Sequence, residues 1–244
     1  MNVIITMAGF GRRFLDAGYD RPKYRIDAHG RSLFAWSMLS LRSFIDEGAA
    51  FTFIVRAADE AGDFIRAEAR ALGVETSAVV ELGAPTDGQA TTAMLARDAV
   101  ADRAAPMAIY NIDTFVHPDA MAASAVRGEG WIPCFPAAGD AWSFAAADAD
   151  GRVSEVREKK RISPHATVGF YGFGSFDIYT DVYERHYADP ANIEKGERYV
   201  APMYNTLIAD GADVFIHDVP LNSVIALGTP EDLERFLAGA PPTL

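Results

Sequence analysis

The sequence holds 244 residues, half of them hydrophobic, which is enough for one sizeable core in an α/β chain folded as a single unit. A formal net charge of −12 argues against broad nucleic-acid binding, which draws its affinity from Lys and Arg on phosphates. A single cysteine, Cys134, excludes an internal disulfide and a cysteine cage for a metal, and no apolar run approaches the roughly 20 residues of a membrane helix, so no membrane partner and a cytoplasmic setting are expected.

Residues 2–7 read as a short buried strand, because Val3, Ile4 and Ile5 are contiguous, β-branched and soon followed by glycine. A long loop follows. From Ser32, a candidate N-cap, the residues Leu33, Phe34, Trp36, Leu39, Leu41 and Phe44 keep helical spacing towards Gly48. Strands are expected at 51–55, 77–82 and 107–112, with helices at 59–72 and 89–100 between them. This alternation builds a parallel sheet with right-handed crossovers. In the second half, extended runs at 130–135, 142–147, 153–157 and 168–176 predict added mixed or antiparallel strands. Helical patterns return at 177–186 and 200–209, strands at 214–219 and 223–226, and a helix after Pro230 closes the chain; residues 239–242 read as a frayed tail. The expectation is a single-domain α/β fold over 1–244 with three layers, helices covering both faces of a mixed, mostly parallel central sheet.

In such a sheet ligands collect at the C-terminal strand ends where strand order reverses, so the loop after the first strand is the first candidate site. It holds Met7, Ala8, Gly9, Gly11 and Arg13, then Lys23. Two glycines let the backbone aim N–H groups at a phosphate, while Arg13 and Lys23 supply charge. The positive charge of this acidic chain is gathered in two islands, Arg12 to Arg25 and Arg157 to Arg161, which suggests a confined anionic ligand; solvated loop charge is the bland reading. A dinucleotide-binding fingerprint fits poorly, since Phe14 stands where a third glycine belongs and no helix starts at once. The five histidines are too scattered for a zinc motif, and no Gly-x-Ser-x-Gly elbow is present. Cys134, beside Pro133 and Phe135, reads as core filling.

With MAGFGRRF and RPKY taken together, the chain resembles the nucleotidyltransferase family of GT-A-like fold that includes sugar-1-phosphate pyrophosphorylases and small capsule-type cytidylyltransferases. GQATTA at 88–93, YNIDTF at 110–115, REKK at 157–160, VGFYGF at 168–173 and LGTPEDL at 227–233 extend the resemblance over nearly the whole chain. The resemblance implies a nucleotide-binding half, 1–115, and an acceptor-binding half, 116–244. Gly9, Gly11, Arg13 and Lys23 would take the triphosphate, with Met7, Ala8, Gly88, Gln89 and Asn111 also on the nucleotide side. Glu158, Lys159 and Gly169 would lie near the acceptor, Lys159 gripping its phosphate. Asp113, after a buried strand, resembles the family's Mg²⁺ ligand, a role suited to a hard oxygen donor. The second metal-binding aspartate of many relatives is replaced here by Ala226.

The implied reaction is attack by a phosphate oxygen of a small phosphorylated acceptor on the α-phosphorus of a nucleoside triphosphate, with pyrophosphate leaving, in nucleotide-sugar or surface-polysaccharide biosynthesis. A phosphate monoester is mostly ionised at neutral pH, so positioning and charge neutralisation by Arg13, Lys23 and Lys159 would suffice without a general base. Glu81, at the end of the third strand, gives a slight lean to CTP, because a carboxylate accepts from the amino group of cytosine. Two rival readings are a GT-A glycosyltransferase, with Asn111 and Asp113 standing in for Asp-x-Asp, and a non-catalytic nucleotide-binding subunit, to which Ala226 lends weight. The resemblance is also compatible with a homo-oligomer.

Overall fold

A computed structural model describes residues 1–244, apart from the side chain of Ser77. The first half builds β1 (Asn2–Thr6), α1 (Arg12–Asp16), β2 (Asp27–Ala28), β3 (Arg31–Ser32), α2 (Leu33–Leu39), α3 (Arg42–Asp46), β4 (Ala50–Arg56), α4 (Gly62–Ala71), β5 (Thr76–Leu82), α5 (Gln89–Met94), β6 (Met107–Asn111) and β7 (Thr114–Val116). The second half adds β8 (Gly130–Pro136), β9 (Phe144–Ala147), β10 (Val153–Arg157), β11 (His165–Thr167), β12 (Phe170–Phe173), α6 (Phe176–His186), α7 (Tyr204–Ala209), β13 (Val214–Asp218), β14 (Val224–Ala226) and α8 (Pro230–Ala238).

The central sheet runs β10-β9-β11-β8-β12-β6-β1-β4-β5, with β13 also pairing β8. Strands β6, β1, β4 and β5 are parallel to one another. The second-half strands pair antiparallel with their neighbours, except that β13 is parallel to β8. After β1 the chain moves outward through β4 to β5 and then returns to the other side of β1 as β6. Strand order therefore reverses between β1 and β6, and Thr6 faces Asn111 across that boundary. A crevice outside the carboxyl ends of these two strands is the geometric consequence.

Both sheet faces are covered. Phe34, Met38, Phe44 and Ile65 from α2, α3 and α4 pack on one face, while Ala90, Tyr179, Tyr204 and Leu207 from α5, α6 and α7 pack on the other. A third cluster joins Phe14, Trp36, Phe115, Leu227, Leu233 and Phe236, tying α1, α2 and α8 to the β7–β14 ribbon. Cys134 is fully enclosed, and burial pushes its thiol pKa well above the ordinary value, as a core residue requires.

The structure differs from the sequence expectation in several elements. The helix expected from 33 to 47 breaks at Ser40 and Leu41, because the Ser37 hydroxyl donates to the Thr114 carbonyl at 2.7 Å and the Ser40 hydroxyl accepts from the Val116 N–H at 2.8 Å. Those bonds fasten the break to β7. The helix expected over 89–100 ends at Met94 and continues as a 3-10 turn over Arg97–Ala99. Of the extended run expected over 168–176 only β12, Phe170–Phe173, is a strand, and Phe176 already begins α6; strand 223–226 joins β7 in a separate two-stranded ribbon instead of the central sheet.

Candidate active site

A cleft of about 1350 Å³ opens over the carboxyl ends of β1 and β6. It brings together Met7, Ala8, Gly9, Gly11, Arg13 and Lys23 from the first loop, then Gly88, Gln89, Asn111 and Asp113. Glu158, Lys159 and Gly169 line the same cleft, with Gly169 against Asn111. Thirteen of the fourteen residues singled out from the sequence thus share one cavity, and Glu81 is the exception. Successive side chains of a strand face opposite ways: Val80 and Leu82 pack on the α5 side of the sheet, Val79 on the α4 side. Glu81 follows Val79, and its carboxylate lies exposed beside the Gly62 backbone at the start of α4. It is therefore not in the cleft.

Of the two basic islands, Arg12, Arg13, Lys23 and Lys159 reach the cavity. Outside the cavity, Arg25 donates to the carbonyls of Asp59 (3.1 Å) and Glu60 (2.7 Å), and Arg157 pairs with Glu155 at 2.6 Å. Lys23 crosses the cleft mouth to Asp113, Nζ to Oδ2 3.3 Å, with the lysine side chain 21% and the carboxylate 35% exposed. Both groups remain open to a ligand, and a half-buried pair at this distance, still reached by water, contributes little to stability. Arg13 has no side-chain hydrogen bond or ion pair among the described residues and is free to engage an anion.

The nucleotide-side loop is fixed from within. The Gln89 amide donates to Thr6 Oγ1 at 3.0 Å and to Asn111 Oδ1, connecting the start of α5 to the ends of β1 and β6. Thr91 bonds the Asp87 carboxylate, and Thr92 donates to the Gly88 carbonyl at 3.0 Å, so both threonines brace this turn, and Thr92 also lines the cleft. Gly88 has φ 141° and ψ 173°, a region only glycine occupies without strain, and a Cβ there would run into the Arg198 backbone. Gly88→Ala is expected to cost roughly 1–3 kcal/mol and to lower the melting temperature by about 2–4 °C per kcal/mol, measurable by calorimetry. A melting temperature equal to that of the parent chain would contradict this geometry.

On the acceptor side, Glu158 is buried and its Oε2 accepts from the Ser143 hydroxyl, while Oε1 lies 3.4 Å from Lys159 Nζ. Burial works against the Lys159 ammonium, but the Tyr199 hydroxyl and the Glu158 carboxylate outweigh it and hold the pKa above the ordinary lysine value. Lys159 is therefore a cation at neutral pH. Gly169 has φ 84°, and a Cβ would meet the Asn111 amide nitrogen at 2.9 Å, so glycine is required here for close packing against Asn111.

Asp113 offers the cleft a partly exposed carboxylate, the type of hard oxygen donor a divalent cation takes. No group of three or more His, Cys, Asp or Glu side chains gathers for a metal among the described residues. Ala226 stands opposite Thr114, and the next residue, Leu227, donates its N–H to the Asp113 carbonyl at 2.8 Å. The position of the missing second acid thus lies beside Asp113 and offers only a methyl group. A single carboxylate fits Mg²⁺ where phosphate oxygens and water complete the coordination, and fits a fully protein-made cage poorly.

Sequence reasoning missed Arg56, Ser143 and Tyr199, all in the cleft wall. Arg56 caps the end of β4, pairs with Asp59 and lies over the Phe10 ring at 5.2 Å. Its place beside β1 on the sheet was the available signal; Ser143 and Tyr199 carried none.

A mixed, mostly parallel sheet with a glycine loop and cations gathered at its switch point defines a Rossmann-like α/β fold. The nucleoside-diphosphate-sugar pyrophosphorylase of Vibrio cholerae RC9 is 33% identical, with a TM-score of 0.90 and coverage of 98% of this chain and 100% of that one. The inositol-1-phosphate CTP transferase of T. maritima shares the fold at 16% identity, with a TM-score of 0.75 over 99% of this chain and 98% of that one. No protein-family model matches the chain, and no curated protein does. The chain belongs to the nucleotidyltransferase family of nucleoside-diphosphate-sugar pyrophosphorylases. Among the described residues, no helix is long and apolar enough to cross a membrane.

Proposed function

We propose that this protein transfers a nucleoside monophosphate from a nucleoside triphosphate to a sugar phosphate, releasing pyrophosphate and forming an activated sugar for nucleotide-sugar biosynthesis. The observation that carries this reading is one cleft lined by cations from two parts of the fold, Arg13 and Lys23 from the first loop and Lys159 from the segment after β10. Two anionic substrates need two such sets, because their mutual repulsion must be offset before they meet. A glycosyltransferase with a single preformed donor does not call for the second. A preference for CTP is no part of the proposal, since Glu81, on which it rested, lies outside the cleft.

In the proposed reaction an acceptor phosphate oxygen attacks the α-phosphorus, its bond forms as the bond to the bridging oxygen breaks, and that oxygen leaves on pyrophosphate. The attacking oxygen is already ionised near neutral pH, so no proton need be removed. Lys159 holds the acceptor phosphate, while the first-loop N–H groups, Arg13 and Lys23 hold the triphosphate and stabilise the charge of the departing pyrophosphate. Asp113 would hold Mg²⁺, which supplies positive charge to the phosphates when bound.

The test is to incubate the protein with each nucleoside triphosphate, Mg²⁺ and a panel of sugar 1-phosphates and alkyl phosphates, and to measure pyrophosphate. Release that needs both substrates is expected. Release without any acceptor, or transfer from a nucleotide sugar in place of a triphosphate, would contradict the reading.

A further inference from the structure

We propose that Tyr199 is the positioning residue of the acceptor station, holding the Lys159 ammonium where it meets the acceptor phosphate. The proposal rests on the functional reading above and adds a residue with no apparent sequence signal. Lys159 has φ 46°, a left-handed conformation rare outside glycine, and its N–H donates to the Trp142 carbonyl at 3.1 Å. A strained backbone persists only where its surroundings over-determine it. Two groups do so at the side-chain end. Glu158 draws the ammonium at 3.4 Å, and Tyr199 is its second partner, with Nζ donating to the phenol oxygen at 3.2 Å and lying 4.8 Å from the ring centroid. Without Tyr199, the carboxylate alone would set the direction of a long flexible side chain.

Tyr199 is itself anchored. The Arg198 N–H donates to the Asp87 carbonyl at 2.7 Å, and the Arg198 carbonyl accepts from the Ala90 N–H at 3.0 Å, across the glycine position that tolerates no Cβ. The Tyr199 carbonyl accepts from the Tyr187 hydroxyl at 2.5 Å, and the Arg198 guanidinium bonds Tyr183 at 2.7 Å and pairs with Asp87 at 3.3 Å. Residues 198 and 199 therefore form a strap from the nucleotide-side turn to the acceptor lysine. Fixing a lysine in advance removes an ordering cost that acceptor binding would otherwise meet.

The test compares Tyr199→Phe, which keeps the ring and loses the hydroxyl, with Tyr199→Ala, which loses both. In acceptor-dependent pyrophosphate release with sugar 1-phosphates, kcat/KM for the acceptor is expected to fall about 10-fold and about 100-fold respectively, through acceptor KM, with KM for the triphosphate held within about twofold. Unchanged acceptor KM in both variants, or parallel rises in both KM values, overturns the proposal. If the parent chain releases no pyrophosphate with any acceptor, the functional reading has failed and Tyr199 is judged by binding. For this, lysines are ¹³C-dimethylated, the Lys159 resonance is assigned by its loss in Lys159→Arg, and inorganic phosphate is the titrant. A midpoint about tenfold higher in Tyr199→Ala supports the proposal, and an equal midpoint refutes it.

Discussion

Lys23→Ala is expected to lower kcat/KM for the nucleoside triphosphate by about 10²–10³, the usual loss when one preorganised donor to developing charge is removed. The reason is positional. Lys23 projects across the mouth of the cleft from the first loop, half-buried and 3.3 Å from Asp113, in a place where a triphosphate would take over its pairing. The fold should barely respond, because the ion pair it loses is open to water. Steady-state pyrophosphate release together with a thermal melt checks both halves. A fall below about threefold at unchanged melting temperature would mean that the triphosphate does not lie against this lysine.

On the proposal that Asp113 holds Mg²⁺, Asp113→Asn is expected to reduce turnover by about 10³, since several kcal/mol of charge stabilisation would then depend on this carboxylate and each 1.36 kcal/mol is a factor of ten. The amide preserves the shape and weakens only the donor. A second readout separates the two residues: Asp113→Asn should raise the Mg²⁺ concentration for half-maximal rate, whereas Lys23→Ala should leave it the same or lower it, because a competing cation has gone. With Ala226 beside it, Asp113 has no neighbouring acid at the position many relatives use, so the loss should be severe. An Asp113→Asn enzyme with the parent Mg²⁺ dependence would place the metal elsewhere.

Much of the fold was legible because β1, β4 and β6 are buried on both faces and read as continuous apolar runs, with helical periodicity between them. The switch point, and with it the site, followed from that alternation. What failed was local in signal but decided at long range. The three-residue strand β7 is too short for a period, so the expected strand at 223–226 had no visible partner, and the break at Ser40 exists only because β7 supplies partners for Ser37 and Ser40. Glu81 was misread because its strand end was considered without its face: one residue along, the side chain would have turned to the other side of the sheet. Tyr199 was invisible because Lys159 lies 40 positions away in the chain, and the Asp87–Ala90 turn that holds its neighbour Arg198 lies about 110 away.

The central claim is that a triphosphate tail lies between the first loop, Lys23 and Asp113. A crystal structure of the protein with a non-hydrolysable nucleoside triphosphate and Mg²⁺ tests it most directly. The phosphates are expected against the N–H groups of residues 9–13 and beside Lys23, with the nucleoside towards Gly88 and Gln89. Phosphates bound at Lys159 instead, or outside the cleft, would contradict the account.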